Sequence, residues 1–282
     1  MTRCFRCNED IARRVANFGQ NTLSKDFKFD GNPNVSSKAS GNTKTYLTRT
    51  NAHLILTIYM YIKEHKPFNL GSNKEDEIFS LPIALHKAAL NQEVERNFSY
   101  LKNLKKRANA NGYHGYEKFL QYVTEQLPDN IQICTASKLL RQFALEKVSI
   151  IELKEKVEKR ERCEKEDYLS TIHSFKGLES DIVIVAEEVN EFLENLFDDV
   201  KERIVGYKKI PKNLEELREF LTKSEQEELN LYYIAMSRAR VSLINSRMES
   251  FNIKNFLEEC LLALIREESK KNVTTNNSCA NF

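Results

Sequence analysis

Four polar side chains that could do chemistry fall within one nine-residue stretch of this chain. Thr171, His173, Lys176 and Glu179 supply a hydroxyl, an imidazole, an ammonium and a carboxylate around Gly177. A glycine there lets backbone amides come close to a phosphate, because it has no Cβ and tolerates unusual backbone angles. The plainer alternative is a solvated turn joining two strands.

The flanking segments decide where such a turn would sit. Tyr168–Ile172 is a short β-branched run, and Ile182–Val185 is entirely apolar, which suits a parallel strand buried on both faces. Strand, polar loop, strand is the arrangement of α/β sheets, whose ligands bind beyond the strand ends. A second corner of this kind lies upstream. Thr43–Thr48 is β-prone, Arg49-Thr50-Asn51 is polar, and Leu54, Ile55, Ile58, Tyr59 and Ile62 then trace a helix. Downstream, Ser224–Ser237 reads as a long helix with Leu229, Tyr232, Tyr233 and Met236 facing a core. Arg238 and Arg240 emerge at its end, and Val241–Asn245 returns as a strand.

The remaining segments are read from periodicity. Asn8–Leu23 is an amphipathic helix with Asn8 as its N-cap and Glu9 and Asp10 in the first turn. Lys25–Lys44 lacks periodicity and reads as an exposed loop. A short strand at Pro67–Leu70 precedes a run of helical patterns at Glu75–Leu90, Gln92–Ala108, Tyr116–Gln126 and Ser137–Leu145. Gln92–Ala108 carries Phe98, Leu101 and Leu104 as a buried stripe and also Lys105-Lys106-Arg107, a charge run that is either a solvated face or a contact for DNA phosphates. Ile151–Asp167 is densely charged and is expected as a solvent-exposed helix. The acidic Glu187–Glu202 is expected as a rim or partner surface, Asn213–Leu221 as a helix, and Phe256–Ile265 as an apolar helix packing on the sheet. Residues 269–282 are expected as a disordered tail.

Size and composition narrow the class without naming it. The chain has 282 residues, enough for one large or two modest domains. Its formal net charge is only +2, so any basic footprint for nucleic acid must be local. No apolar run approaches the ~20 residues of a membrane helix, and MTRCFRCNED lacks the apolar segment of a signal peptide, so a cytoplasmic protein with no membrane partner is expected. Six cysteines without framework spacing are expected as free thiols. Cys4 and Cys7 form a lone C-x-x-C with no second ligand pair, so no metal site is expected.

The wording of two segments resembles a known family. Thr171–Glu179, in the form T-x-H-x-x-K-G-L-E before an apolar strand, resembles motif V of the UvrD/Rep family of superfamily 1 DNA helicases, and Glu227–Ala239 (EELNLYYIAMSRA) resembles its motif VI. The corner T-R-T-N-A, Thr48–Ala52, is similar to motif IV, although Thr48 stands where the family often has a tyrosine that stacks on adenine. Cys4-Phe5-Arg6-Cys7 resembles the segment that opens the second RecA-like domain, and the mostly helical interval between motifs IV and V is similar to the F-box DNA helicase branch.

The resemblance implies an α/β fold, a RecA-like parallel sheet flanked by helices. Residues 1–71 and 167–268 would form the second RecA-like domain and residues 72–166 a helical accessory insertion. It implies catalytic roles for Arg238 and Arg49 at the ATP phosphates, cofactor binding by Glu179, Gly177 and Lys176, and single-strand DNA contacts by Thr171 and His173. For Lys176 either phosphate, nucleotide or DNA, stays open, and for His173 a structural hydrogen bond is the alternative. Without the motif, Arg238 would read as a surface arginine capping a helix C-terminus. ATP and Mg²⁺ are the implied cofactors, and single-stranded or partly duplex DNA the implied substrate. No G-x-x-x-x-G-K-[ST] occurs among the 8 glycines, so a partner bearing the P-loop half of a 3′-to-5′ helicase is expected, and the chain is expected to begin partway through such a motor. A non-catalytic DNA- or protein-binding remnant and a helicase-nuclease are the other classes, the latter without a metal-carboxylate cluster after Arg240.

Overall fold

A computed structural model describes residues 7–35, 44–71, 74–161 and 166–279. In chain order they form α1 (Glu9–Thr22), β1 (Lys44–Thr48), α2 (Asn51–Lys63), β2 (Phe68–Asn69) and α3 (Glu75–Ala89). A 3₁₀ turn at Arg96–Phe98 leads into α4 (Tyr100–Ala110), α5 (Tyr116–Gln126), α6 (Ile131–Leu145) and α7 (Ile150–Glu158). The chain then runs through β3 (Asp167–Thr171), β4 (Ser180–Val185), α8 (Glu187–Tyr207), α9 (Leu214–Phe220), α10 (Lys223–Met236) and β5 (Ala239–Ile244). A second 3₁₀ turn, Arg247–Ser250, precedes α11 (Ile253–Cys279). Two compact units divide the chain, residues 43–176 and residues 1–42 with 177–282.

In the unit of residues 43–176, β3 is the central strand of three and pairs in parallel with both β1 and β2. The register sets Thr48 beside Thr171, so the C-terminal ends of β1 and β3 open on the same edge. Helices α2 to α7 enclose a core in which Leu54, Ile58, Phe79, Leu85, Phe119 and Phe143 are fully buried. Side chains of this kind give roughly 1.5–3 kcal/mol each on burial, which holds the helical segment on the strands without a sheet of its own.

In the other unit β4 and β5 pair in parallel. The three last residues of β4 are all buried, as its unbroken apolar run predicts for a strand covered on both faces. Asn8 caps α1 by accepting from the Ile11 amide at 2.9 Å, and its own amide group donates to the Val241 carbonyl at 3.0 Å, tying the helix to β5. The ring of Tyr232 lies 5.0 Å from that of Phe18. Its hydroxyl donates to Asn190 Oδ1 at 2.8 Å and accepts from the Met248 amide at 3.2 Å, which satisfies polar groups deep in the core.

Parallel strands flanked by helices make this an α/β protein, as expected, and several local expectations change. Helix α7 is not a solvated rod: Ile150, Leu153 and Val157 are buried at helical spacing beneath its charged face. The acidic α8 likewise buries Leu193, Leu196, Phe197, Val200 and Ile204. Of its carboxylates Glu187 and Glu194 both reach Arg247, the latter at 3.6 Å, and its Lys201 holds Glu259 of α11 at 2.8 Å. Helix α11 packs on α8 through Phe256 and Cys260 rather than on the sheet, leaving Leu261, Leu262 and Ile265 about half exposed. It continues to Cys279 through residues expected as tail, whose Lys and Asn content gives no apolar stripe to read. The segment Cys4-Phe5-Arg6, residues 36–43 of the exposed loop and residues 280–282 lie outside the described residues. Cys134 and Cys260 are free thiols.

Candidate functional site

Arg49 sits where β1 ends and α2 begins. Thr48, in the last position of the strand, donates to the carbonyls of Thr50 and Ser170, each at 3.4 Å. Thr50 then caps α2 by accepting from the His53 amide at 3.3 Å. Strand pairing on one side and a capped helix on the other therefore fix the residue between them. Arg49 is only 8% exposed, unusual for a guanidinium, and lines a pocket of about 450 Å³ with His173 and the α5–α6 connection, Gln126 to Gln132. His53 lies beside this corner. Burial first, then the charges of Arg49 and Lys138, push its imidazole down to about 4, so it is neutral at pH 7.

Thr171 ends β3 in register with Thr48 and is buried. Its hydroxyl donates to Ser174 Oγ at 3.0 Å and accepts from the Ser174 amide at 3.2 Å, while its carbonyl accepts from the Phe175 amide at 3.0 Å. The threonine thus folds the loop back on itself. His173 and Lys176 stand exposed on that turn. Arg49, assigned to the nucleotide, and His173, assigned to DNA, line one pocket in this unit, which their separate motifs did not foretell.

The boundary between the units falls after Lys176. Gly177, the first residue beyond it, has φ +86°, a conformation open to glycine and strained for other residues. Nothing lies within 4 Å of where its Cβ would be, so backbone angle and not crowding demands the glycine. Arg238 caps the C-terminal end of α10. Its Nε donates to the Ile234 carbonyl, one Nη to the Leu178 carbonyl and the other to Ser237 Oγ, each at 3.2 Å. The Ser180 amide returns a bond to the Arg238 carbonyl at 3.1 Å. This is the geometry of the helix-capping alternative: the side chain occupies the negative end of α10 and the 177–180 turn together.

Two residues of this corner, Arg240 and Asp181, were given no role by the sequence reading. Arg240 stands 3.8 Å from Glu179 and 3.7 Å from Asp181, so the carboxylate expected to hold a ribose already has a cation beside it. All three are part-exposed, and such pairs position more than they stabilise. The signal was present: Arg240 and Asp181 are the first charged residues of two strands whose parallel pairing brings their starts together. Among the described residues no group of three His, Cys, Asp or Glu side chains is placed to hold a metal ion.

A comparison with curated proteins finds no match. A model of the UvrD-like helicase C-terminal domain matches residues 86–250. That range is more than half of the chain and contains both Thr171–Glu179 and Glu227–Ala239, while the Arg49 corner precedes it. The α/β arrangement of parallel strands and flanking helices is the RecA-like class that this family implies. On that match, and with the motif-bearing loops at strand ends, the chain belongs to the family of UvrD-like helicase C-terminal domains.

Proposed function

We propose that this chain supplies the arginine side of the nucleotide site, and part of the single-strand track, of a 3′-to-5′ ATP-dependent DNA helicase acting in DNA repair or recombination in the cytoplasm. The hydrogen bond from Arg238 to the Leu178 carbonyl carries the reading, because it couples the loop expected to meet DNA to the arginine expected to meet ATP. In this reading residues 1–71 and 167–268 form the motor domain and residues 72–166 its accessory insertion.

The residues fit a polyphosphate on its cationic side. Arg49 and Arg238 both stand at strand–helix corners, and an arginine fork suits the charge spread over transferring phosphate oxygens. Glu179, exposed beside Gly177, is suited to a ribose hydroxyl, while Lys176 serves either kind of phosphate. Thr171 orders the turn and His173 presents its imidazole to the DNA. When bound, ATP with its Mg²⁺ supplies the phosphoryl group whose hydrolysis drives movement. The P-loop that grips it comes from another half, since no such motif occurs in this sequence.

The test is reconstitution. The chain alone is expected to show no ATPase activity. Adding the P-loop-bearing half of a UvrD-like helicase restores DNA-stimulated hydrolysis, and Arg238→Ala lowers it by about 10³–10⁵, the range of arginine fingers. Hydrolysis by the purified chain alone, or an Arg238→Ala mixture as active as the parent, overturns the proposal. Folded Arg49→Ala and Arg238→Ala variants that leave every nucleic-acid or protein interaction untouched would favour the second reading, a non-catalytic binding remnant.

A further inference from the structure

Helix α4 carries Lys102, Lys105, Lys106 and Arg107 and no acidic residue. Spacings of three and four put Lys102, Lys105 and Lys106 on one face, where like charges repel. All three line a pocket of about 390 Å³ closed by Asn91, Gln92 and Asn109, with Glu93 as its one carboxylate. Other cations of the 43–176 unit do pair: Lys66, Lys154 and Lys159 each hold a carboxylate within 4 Å. Among the described residues Lys102, Lys105 and Lys106 have no such partner.

Lys105 shows how far the arrangement goes. It is 6% exposed, its Nζ lies 4.8 Å from the Phe119 ring centroid and donates to the Gly115 carbonyl at 3.3 Å. Burial lowers its pKa. A nearly buried ammonium held only by a carbonyl and a ring is poorly compensated for the water it has lost. An anion in the pocket would supply the missing charge and relieve the repulsion along the helix face. Amide side chains at the rim add donors suited to oxyanion oxygens.

We infer that Lys102, Lys105 and Lys106 form a phosphate-binding site on the helical segment, built to take a phosphodiester of a nucleic-acid backbone. The site stands on these lysines and not on the nucleotide reading above, and it shares no residue with Thr171, His173 or the arginine corners. Phosphate contacts of this kind bind without sequence preference and weaken steeply with salt.

The experiment is a salt titration of binding to a fluorescent 20-mer single strand and to its duplex, comparing the full chain with Lys102→Gln/Lys106→Gln. Both substitutions lie on an exposed helix face, and circular dichroism verifies the fold. The double variant is expected to reduce the slope of log K against log salt by about 1.4–1.8, at about 0.7–0.9 per lost contact, equally for unrelated sequences. Lysine acetylation footprinting of the unmodified chain provides a second readout, with Lys102 and Lys106 protected by the oligonucleotide. In parallel, inorganic phosphate is compared with chloride at equal ionic strength by thermal melting. A rise in melting temperature lost in the variant, without oligonucleotide binding, assigns the site to free phosphate and overturns the backbone assignment. An unchanged slope with no footprint overturns the site. Thr171→Val and His173→Ala are run beside it, so loss of the proposed track and loss of the lysine site are read separately.

Discussion

Arg238 donates to the carbonyl of Leu178, sixty positions earlier in the chain, at 3.2 Å. One side chain therefore joins the C-terminus of α10 to the turn that follows Gly177, which gives the arginine a structural role. Arg238→Ala removes three hydrogen bonds at once and leaves the Leu178 carbonyl to water, while the Ile234 carbonyl keeps the Ser237 hydroxyl at 2.9 Å. Because the site is part-exposed, the expected loss is about 1–3 kcal/mol of unfolding free energy, measured by urea denaturation. Arg238→Lys keeps the positive charge at the helix end but not the fork, and should recover less than half of that loss. Equal stability of the Ala and Lys variants would mean that the fork geometry contributes nothing.

Gly177 and Gly206 give opposite expectations from the same substitution. Neither would crowd an added Cβ. Gly177 has φ +86°, where an alanine is strained by about 1–2 kcal/mol, so Gly177→Ala is expected to destabilise by that amount. Gly206 lies within α8, where alanine is the better helix former, and Gly206→Ala is expected to stabilise by about 0.5–1 kcal/mol. Denaturation midpoints that move in the same direction for both variants would contradict the backbone assignment.

Tyr232→Phe tests the core of the unit that contains α10. The hydroxyl is buried and links Asn190, the Met248 amide and, at 3.2 Å, Ser246. Its removal leaves buried polar groups unsatisfied while changing packing by a single atom. The expected cost is about 1–3 kcal/mol, more than an exposed Tyr→Phe change and visible as a lower melting temperature.

How much of this was legible depends on the range of the interaction. The all-apolar Ile182–Val185 announces a strand covered on both faces, and Asn8 before Glu9-Asp10 announces a capped helix; both signals are local, and both elements form. The buried face of α7 is also local, but Ile150, Leu153 and Val157 are outnumbered by charges, which hides the i, i+3, i+7 stripe. The pocket shared by Arg49 and His173 was not legible. It needs the 126–132 connection brought against a strand end by tertiary packing, and no spacing in the sequence encodes that. The pairing of Arg240 with Glu179 and Asp181 lies between, since the register of β4 on β5 supplies it once the strands are known.

That packing also gives the Arg49 corner a pH signature. His53 titrates at about 4 in the folded chain and near its ordinary 6.5 when unfolded. Above pH 6.5 it is neutral in both states and stability does not depend on it. Between 6.5 and about 4 the unfolded chain binds a proton that the folded chain refuses, so stability falls as the pH falls, by at most ~1.4 kcal/mol per pH unit from this group. Below about 4 both states are protonated and the dependence ends. His53→Gln is expected to flatten that window in pH-dependent denaturation. Arg49→Ala removes the second cause of the shift, so the His53 ring resonances should titrate higher, yet still below 6.5 because burial, the largest cause, remains. A His53 midpoint unmoved by Arg49→Ala in an NMR titration would show that the guanidinium does not face the imidazole, and the charged floor of the pocket would have to be redrawn.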